Sequence, residues 1–244
     1  LEVDSEIKMQ KPFTEIQELT KEYSVMQGDS LDQKTYLSYN AVICTSLDPE
    51  LYLAFQVLDY VLAGSPGAPL KQALLDAGVG KDVLSSYDNN ILQPIFSIIS
   101  KNTDEDKKDE FIKIIENTLH DLVKNGINEK TLQAAINYYE FRYREADFGH
   151  YPKGLMYGLQ LMDSWLYRDD LPFIHLEAND TFRFLRESIG TSYYTDLIEK
   201  YLLNNTHKTI VIIKPKEGLT EEADARTKEK LASYKNSLSD QELD

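Results

Sequence analysis

The sequence predicts an α+β sandwich in which a mainly antiparallel sheet is covered by helices mainly on one face. Three observations lead there: two β-rich stretches near the start, helical runs with apolar residues at i, i+4 and i+7, and a late apolar run, Thr209-Ile210-Val211-Ile212-Ile213, that reads as a buried strand returning to the sheet. Strand pairs interleaved with helix pairs give each helix one apolar face to bury, and a shared sheet can cover it.

Residues 13–25 and 35–45 flank the turn-like Gln27-Gly28-Asp29-Ser30, which predicts two neighbouring antiparallel strands. Asp48-Pro49 predicts a helix start, with Asp48 as N-cap and Pro49 where a missing N–H costs nothing. Leu51, Phe55, Leu58 and Leu62 mark its buried face. Gly64-Ser65-Pro66-Gly67 breaks it, and a shorter helix carrying Leu70, Ala73, Leu74 and Ala77 runs to Gly78, which can supply a left-handed stop.

Residues 82–88 and 91–99 read as a hairpin across Asn89-Asn90. Pro94 cannot donate to a ladder, so the second arm is expected at an edge or at a bulge. Thr103 and Asp106 give a Thr-x-x-Asp cap for a long helix with Phe111, Ile115, Leu119 and Leu122 on one side. Asn128 caps an antiparallel partner carrying Leu132, Ile136, Tyr139 and Tyr143. Beyond the break at 149–152, Leu155, Leu159, Met162 and Leu166 mark a third helix, with Gly154 and Gly158 on its other side permitting close approach of a neighbouring backbone. Residues 176–204 read as helical.

The domain organisation expected is a lead-in over 1–11, one α/β domain over 12–215, and a charged segment over 216–244 that cannot bury a core of its own and reads as the start of a helical linker or arm. The opening Leu1, in place of Met, suggests an excised piece or a processed form.

The chain has 244 residues, 41 acidic against 26 basic, for a formal net charge of -15. Such a field repels phosphate backbones, so nucleic acid is an unexpected partner. No apolar stretch approaches a membrane span and no secretion signal is visible, so a bacterial-type cytoplasm or an organellar matrix is expected, with no membrane partner. Cys44 has no partner within the chain, which fits a reducing compartment, and its place in an apolar run reads as a small core hydrophobe.

The residues show no catalytic site. His120, His150, His175 and His207 belong neither to His-Glu-x-x-His nor to His-x-x-Glu-His, and they read as surface or helix-end residues. No metal ligand set and no Gly-x-Ser-x-Gly elbow is visible. Gly64-Ser65-Pro66-Gly67-Ala68-Pro69 lacks the ending of a phosphate loop, and its prolines remove amide donors an anion would need. Tyr138, Tyr139 and Tyr143 with Arg142 and Arg144 form an aromatic and basic cluster that could bind a peptide, although an aromatic stripe is more often core.

The stretches Leu62 to Gly80 (LAGSPGAPLKQALLDAGVG) and Gly154 to Trp165 (GLMYGLQLMDSW), followed by Asp169-Asp170-Leu171-Pro172, resemble the pitrilysin-type zinc metallopeptidases of the M16 family, in their presequence-protease branch. The resemblance spans about residues 12–215 and implies a fold of the LuxS/metallohydrolase type. Its enzymes pair four similar domains around a peptide chamber, and the first holds zinc through His-x-x-Glu-His. This chain lacks that motif. The fourth domain brings an Arg and a Tyr before the hairpin, where this chain has Leu75 and Lys81. What the resemblance implies is the second, non-catalytic domain with the start of the helical linker. It would have no cofactor of its own, zinc in the parent enzyme, and three partners: the zinc-bearing domain, the second half of the same polypeptide, and an unfolded peptide substrate.

On that reading the hairpin at 82–99 offers an edge to extended peptide, with Ile95 and Ile98 as the peptide-binding residues. Two alternatives share the fold: a stand-alone non-catalytic subunit, like the inactive subunits of a heteromeric processing peptidase, and a peptide-binding module unrelated to proteolysis.

Overall fold

The computed structural model describes residues 6–146 and 148–239. One sheet contains β1 (Gln17–Val25), β2 (Thr35–Val42), β3 (Asp82–Asp88), β4 (Ile95–Thr103) and β5 (Lys208–Glu217), in the spatial order β1-β5-β2-β4-β3. The ladders β5–β2, β2–β4 and β4–β3 are antiparallel, and β1 runs parallel to β5. The mainly antiparallel α+β expectation holds.

The pairing of the first two strands does not. β5 lies between them, so that Thr209 faces Gln17 on one side and Asn40 on the other. The reason is hydrophobic: Ile210 and Ile212 of β5 are buried and need neighbours on both sides, whereas β1 is largely exposed and tolerates an edge.

Asp48 caps α1 (Pro49–Asp59) as expected, its Oδ1 accepting the N–H groups of Glu50 and Leu51 at 3.0 Å each. The helix then widens into a π-type turn, Tyr60–Gly64, closed by the Ser65 N–H donating to the Tyr60 carbonyl at 2.7 Å. After α2 (Pro69–Asp76) the chain enters β3 through Gly80 at φ 97°, where a Cβ would stand 2.8 Å from the Lys101 carbonyl oxygen. Backbone cannot give way there, so the position requires glycine.

The helices α3 (Lys108–Asn125), α4 (Glu129–Glu145) and α6 (Asn179–Glu187) cover the same sheet face as α1, as does α7 (Tyr193–Leu197), which continues in a second π-type turn, Ile198–Leu203. Leu37, Tyr39 and Ala41 of β2, Phe96 and Ile98 of β4, and Ile210 and Ile212 of β5 meet Phe111, Ile136, Phe182 and Leu185 from above. Phe55 sits at the centre, its ring 5.8 Å from Tyr87, 6.4 Å from Phe96 and 5.7 Å from Tyr201. Each such side chain contributes roughly 1.5–3 kcal/mol on burial, which is what selects this face. The opposite face is mixed: Asn40 Oδ1 accepts from Ser38 and Ser97 hydroxyls at 2.8 Å each, and the half-buried Ile99, Val211 and Ile213 lie on the same face.

Four local expectations are corrected. The hairpin closes through residues 89–94, because the carbonyls of Leu92 and Pro94 are taken by the N–H groups of Ser46 and Ile43 before β4 begins. β4 is interior, laddered to β2 and β3, so Pro94 precedes it and makes no edge; the strand does carry a bulge, at its far end, where Thr35 faces Thr103 but Leu37 faces Ser100. Thr103 is the last residue of β4 and caps nothing; Asp104 instead accepts the Gln33 N–H at 2.7 Å and ties the turn to the sheet. The helical stretch 176–204 is broken at Gly190, φ 81°. At the C-terminal end, β5 runs through Pro215 to Glu217 and α8 (Leu219–Ser237) has no buried residue.

Candidate functional site

The helix α5 (Lys153–Trp165) positions a buried polar cluster that lines a cavity. Its apolar side is reversed from the usual arrangement. Leu155, Leu159, Met162 and Leu166 are exposed, at 53%, 54%, 37% and 59%, while Asp163 and Ser164 are the buried residues. Nothing lies within 4 Å of a Cβ built on Gly154 or Gly158, so these glycines admit no close neighbour. Hydrogen bonds hold the helix in place: Ser46 Oγ donates to the Asp163 carbonyl at 2.8 Å, Gln160 Nε2 to the His175 carbonyl at 3.1 Å, and Ser164 Oγ to the Leu171 carbonyl at 2.7 Å.

Tyr52 of α1 is the hinge of the cluster. Its hydroxyl donates to Asp163 Oδ2 at 2.7 Å, and its ring stacks on His175 with centroids 3.8 Å apart. Burial pushes the Asp163 carboxyl up to about 6, partly offset by the Tyr52 hydrogen bond. Burial also drives His175 down to about 4, so it is a neutral imidazole near pH 7.

Between α1, α4 and α5 lies a cavity of about 900 Å³. Tyr52, Tyr139, Tyr143 and Tyr157 form its aromatic walls, Gln56 and Gln160 supply amides, and Asp163 supplies a carboxylate. Burial raises the hydroxyls of Tyr52, Tyr139 and Tyr143, so all three remain donors. Arg142 stands at the lining, exposed, with its guanidinium 5.7 Å from the Tyr138 ring centroid. The aromatic and basic stripe of α4 is therefore divided. Leu132, Ala135 and Ile136 enter the core, Tyr139 and Tyr143 face the cavity, and Tyr138 stacks on Tyr60 at 5.4 Å.

The other sequence candidates fall elsewhere. Ile95 and Ile98 lie in β4, both of whose sides are laddered, and Ile98 is fully buried, so neither presents an edge. The free edge of that hairpin is β3. His120 and His150 are exposed as expected, but His175 and His207 are buried, the second packed edge-on against Phe13 at 4.7 Å. Cys44 is exposed with φ 45°, because the chain has left β2 at Val42 and turned the side chain outward; the core reading is overturned. Among the described residues no group of three or more His, Cys, Asp or Glu is placed to hold a metal ion, and no helix is long and apolar enough to cross a membrane. The Asp163–Tyr52–His175 cluster escaped sequence reasoning because its members come from three separated segments.

The family described as "Peptidase M16 inactive domain" matches residues 2–139, more than half of the chain. The chain belongs to that family. The chain is 44% identical over 242 residues to Protein HypA of Clostridium perfringens, covering 99% of this chain and 25% of that protein. It is 30% identical over 245 residues to Presequence protease 1, chloroplastic/mitochondrial, of Arabidopsis thaliana, covering 98% of this chain and 23% of that one. The chain thus spans about a quarter of the length of these relatives. The crystal structure of a peptidase M16 inactive domain from Pseudomonas fluorescens superposes with a TM-score of 0.57 at 17% identity, covering 86% of this chain and 46% of the other. That likeness supports the fold.

Proposed function

We propose that this chain is the second, non-catalytic domain of a zinc-dependent metalloendopeptidase that degrades oligopeptides, packing beside the zinc-bearing domain and walling the chamber in which peptide is cut. The observation that carries this reading is the exposed apolar surface of α5 and the turn after it. Leu155, Trp165, Leu166 and Phe173 are 53%, 46%, 59% and 55% exposed, a grouping that a self-sufficient domain rarely leaves bare. The relatives, about four times as long, supply the further polypeptide that would cover it. Zinc belongs to the neighbouring domain on this reading, and the second half of the same polypeptide closes the chamber. On this reading residues 12–215 are one non-catalytic α/β domain, and α8 begins the helical linker.

Peptide pairing at the hairpin, if it uses strand addition, falls to β3, whose outer edge carries unpaired backbone groups. The sheet face around Asn40, where Ser38 and Ser97 hydroxyls meet its amide beside half-buried Ile99 and Val211, offers both polar and apolar contacts to a chamber.

The test is to express the full reading frame containing this chain, with and without Leu155→Glu and Leu166→Glu, and to follow hydrolysis of an unfolded peptide. Chelator-sensitive cleavage by the wild type, loss in the folded double variant and no cleavage by the 244-residue chain alone are expected. Cleavage by the isolated chain refutes the non-catalytic role. Full activity of the double variant refutes the packing role.

A further inference from the structure

The cavity between α1, α4 and α5 has the chemistry of a receptor, and the role proposed above makes no use of it. Its volume of about 900 Å³ lies in the range of ligand sites rather than of packing defects. The lining combines three elements that recognise one kind of group. Tyr52, Tyr139, Tyr143 and Tyr157 present ring faces and edges, and Met156 and Met162 add adaptable apolar surface. Asp163 brings a carboxylate that is 6% exposed, of which Tyr52 takes up one oxygen, Oδ2. The other, Oδ1, accepts no hydrogen bond among the described residues. The amides of Gln56 and Gln160 are neutral.

Charge decides the sign of the ligand. Arg142 is the sole cationic side chain of the lining among the described residues, but it is exposed, and its guanidinium is engaged with Tyr138, over the ring at 5.7 Å and donating to the hydroxyl at 3.4 Å. The buried charge is Asp163. Aromatic faces attract a cation electrostatically and attract it more once water is excluded, whereas an anion would meet both the ring faces and the carboxylate with repulsion. A long side chain with an apolar stem and a cationic tip fits both the walls and the floor.

We propose that this cavity binds a lysine or arginine side chain of a peptide, its aliphatic stem against Met156, Met162 and the tyrosine rings and its charged head on Asp163. This deepens the enclosing role and rests on it for the source of the ligand, a peptide held in the chamber. The site's chemistry is independent of that source, so the two are tested separately.

The experiment uses the 244-residue chain and two probes with the same four-carbon side-chain stem, N-acetyl-lysine methylamide and N-acetyl-norleucine methylamide, which lacks the ammonium, followed by NMR of methionine methyls labelled with carbon-13. The lysine probe is expected to shift the Met156 and Met162 signals saturably, and the norleucine probe to bind at least ~10-fold more weakly, as the loss of one charge-assisted contact implies. Asp163→Asn, which keeps an acceptor for Tyr52, should weaken the lysine probe by a similar factor and leave norleucine unchanged. Should Asp163→Asn unfold, Gly158→Trp on open helix surface serves as the neutral control and Met156→Trp as the blocking variant, the latter abolishing the shifts at Met162. Equal binding of both probes, or lysine binding that survives in folded Asp163→Asn, overturns the proposal. No shift with either probe overturns it too. None of these outcomes touches the enclosing role, which is judged by peptide hydrolysis in the α5 surface variants.

Discussion

Replacing Asp163 by asparagine should expose a pH dependence that the wild-type protein conceals. The Asp163 carboxyl has a folded pKa of about 6 against 3.8 for a free aspartate, so the folded state holds a proton over a range where the unfolded state has lost it. Its contribution to stability is therefore largest in acid and is lost as pH rises through 6, with a total change of ~3 kcal/mol. His175 has the opposite sign. Its folded pKa of about 4 lies below 6.5, so in acid the unfolded state takes up the proton first. Stability from this group is present above pH 6.5 and is lost as pH falls towards 4, again by ~3 kcal/mol. The two windows overlap and the two changes nearly cancel. Asp163→Asn removes the compensation, so between about pH 7 and about pH 4.5 the variant should lose ~2 kcal/mol more than wild type. His175→Phe, which keeps a ring against Tyr52 and removes a buried Nε2 that has no hydrogen-bond partner, should lose less than wild type over the same interval. Urea unfolding at both pH values, with wild type and both variants in parallel, reads the differences, and the remaining acidic residues are common to all three. Parallel pH profiles for wild type and Asp163→Asn would refute the reasoning.

Three further outcomes are expected. Gly80→Ala should destabilise by about 3 kcal/mol or more, because a Cβ meets the Lys101 carbonyl oxygen at 2.8 Å and φ is 97°; a variant with an unchanged urea midpoint would show that this crossing relaxes freely. Lys208 is buried, with burial lowering its pKa, and its ammonium donates to the Leu202 and Leu203 carbonyls at 2.9 and 3.0 Å. Lys208→Met should cost ~1–3 kcal/mol through those abandoned acceptors, and a neutral result in calorimetry would argue that water replaces them. In β3, Leu84→Pro and Ser85→Pro remove adjacent N–H groups that point to opposite sides of the strand. One should raise KM for long peptides in the full-length enzyme with little loss of stability, and the other should lower stability by breaking the ladder to β4; equal effects from both would count against strand addition.

Local signals were read correctly where the determinant is local. The cap at Asp48, the cap at Asn128, whose Oδ1 accepts the Thr131 N–H at 3.2 Å, and the buried run of β5 are each set by neighbours within a few residues. Where a distant segment decides, the sequence was silent or misleading. Strand adjacency placed β1 beside β2, because nothing near either one announces that β5 will enter between them. The helical period of Leu155, Leu159, Met162 and Leu166 was legible, but a period gives an apolar face and not what that face meets. His175 reads as an ordinary surface histidine until Tyr52 is brought against it, and Asp163 carries no mark of the hydroxyl that will bind it. Cys44 shows the converse: it sits in an apolar run, yet one residue at positive φ after β2 turns it outward.

The insertion of β5 between β1 and β2 has a consequence for how this chain is made. Of the five strands synthesis delivers β1 before the others and β5 after them, so while the intervening helices emerge, the slot beside β2 stays empty and β1 has no partner. The nascent domain can assemble β2, β4 and β3 with their helices, but its central ladder closes after residue 217 has cleared the ribosome, and until then two strand edges are open to other chains. A holding chaperone acting on this interval, or a pause in translation just after β5, would change yield without altering any contact of the finished molecule.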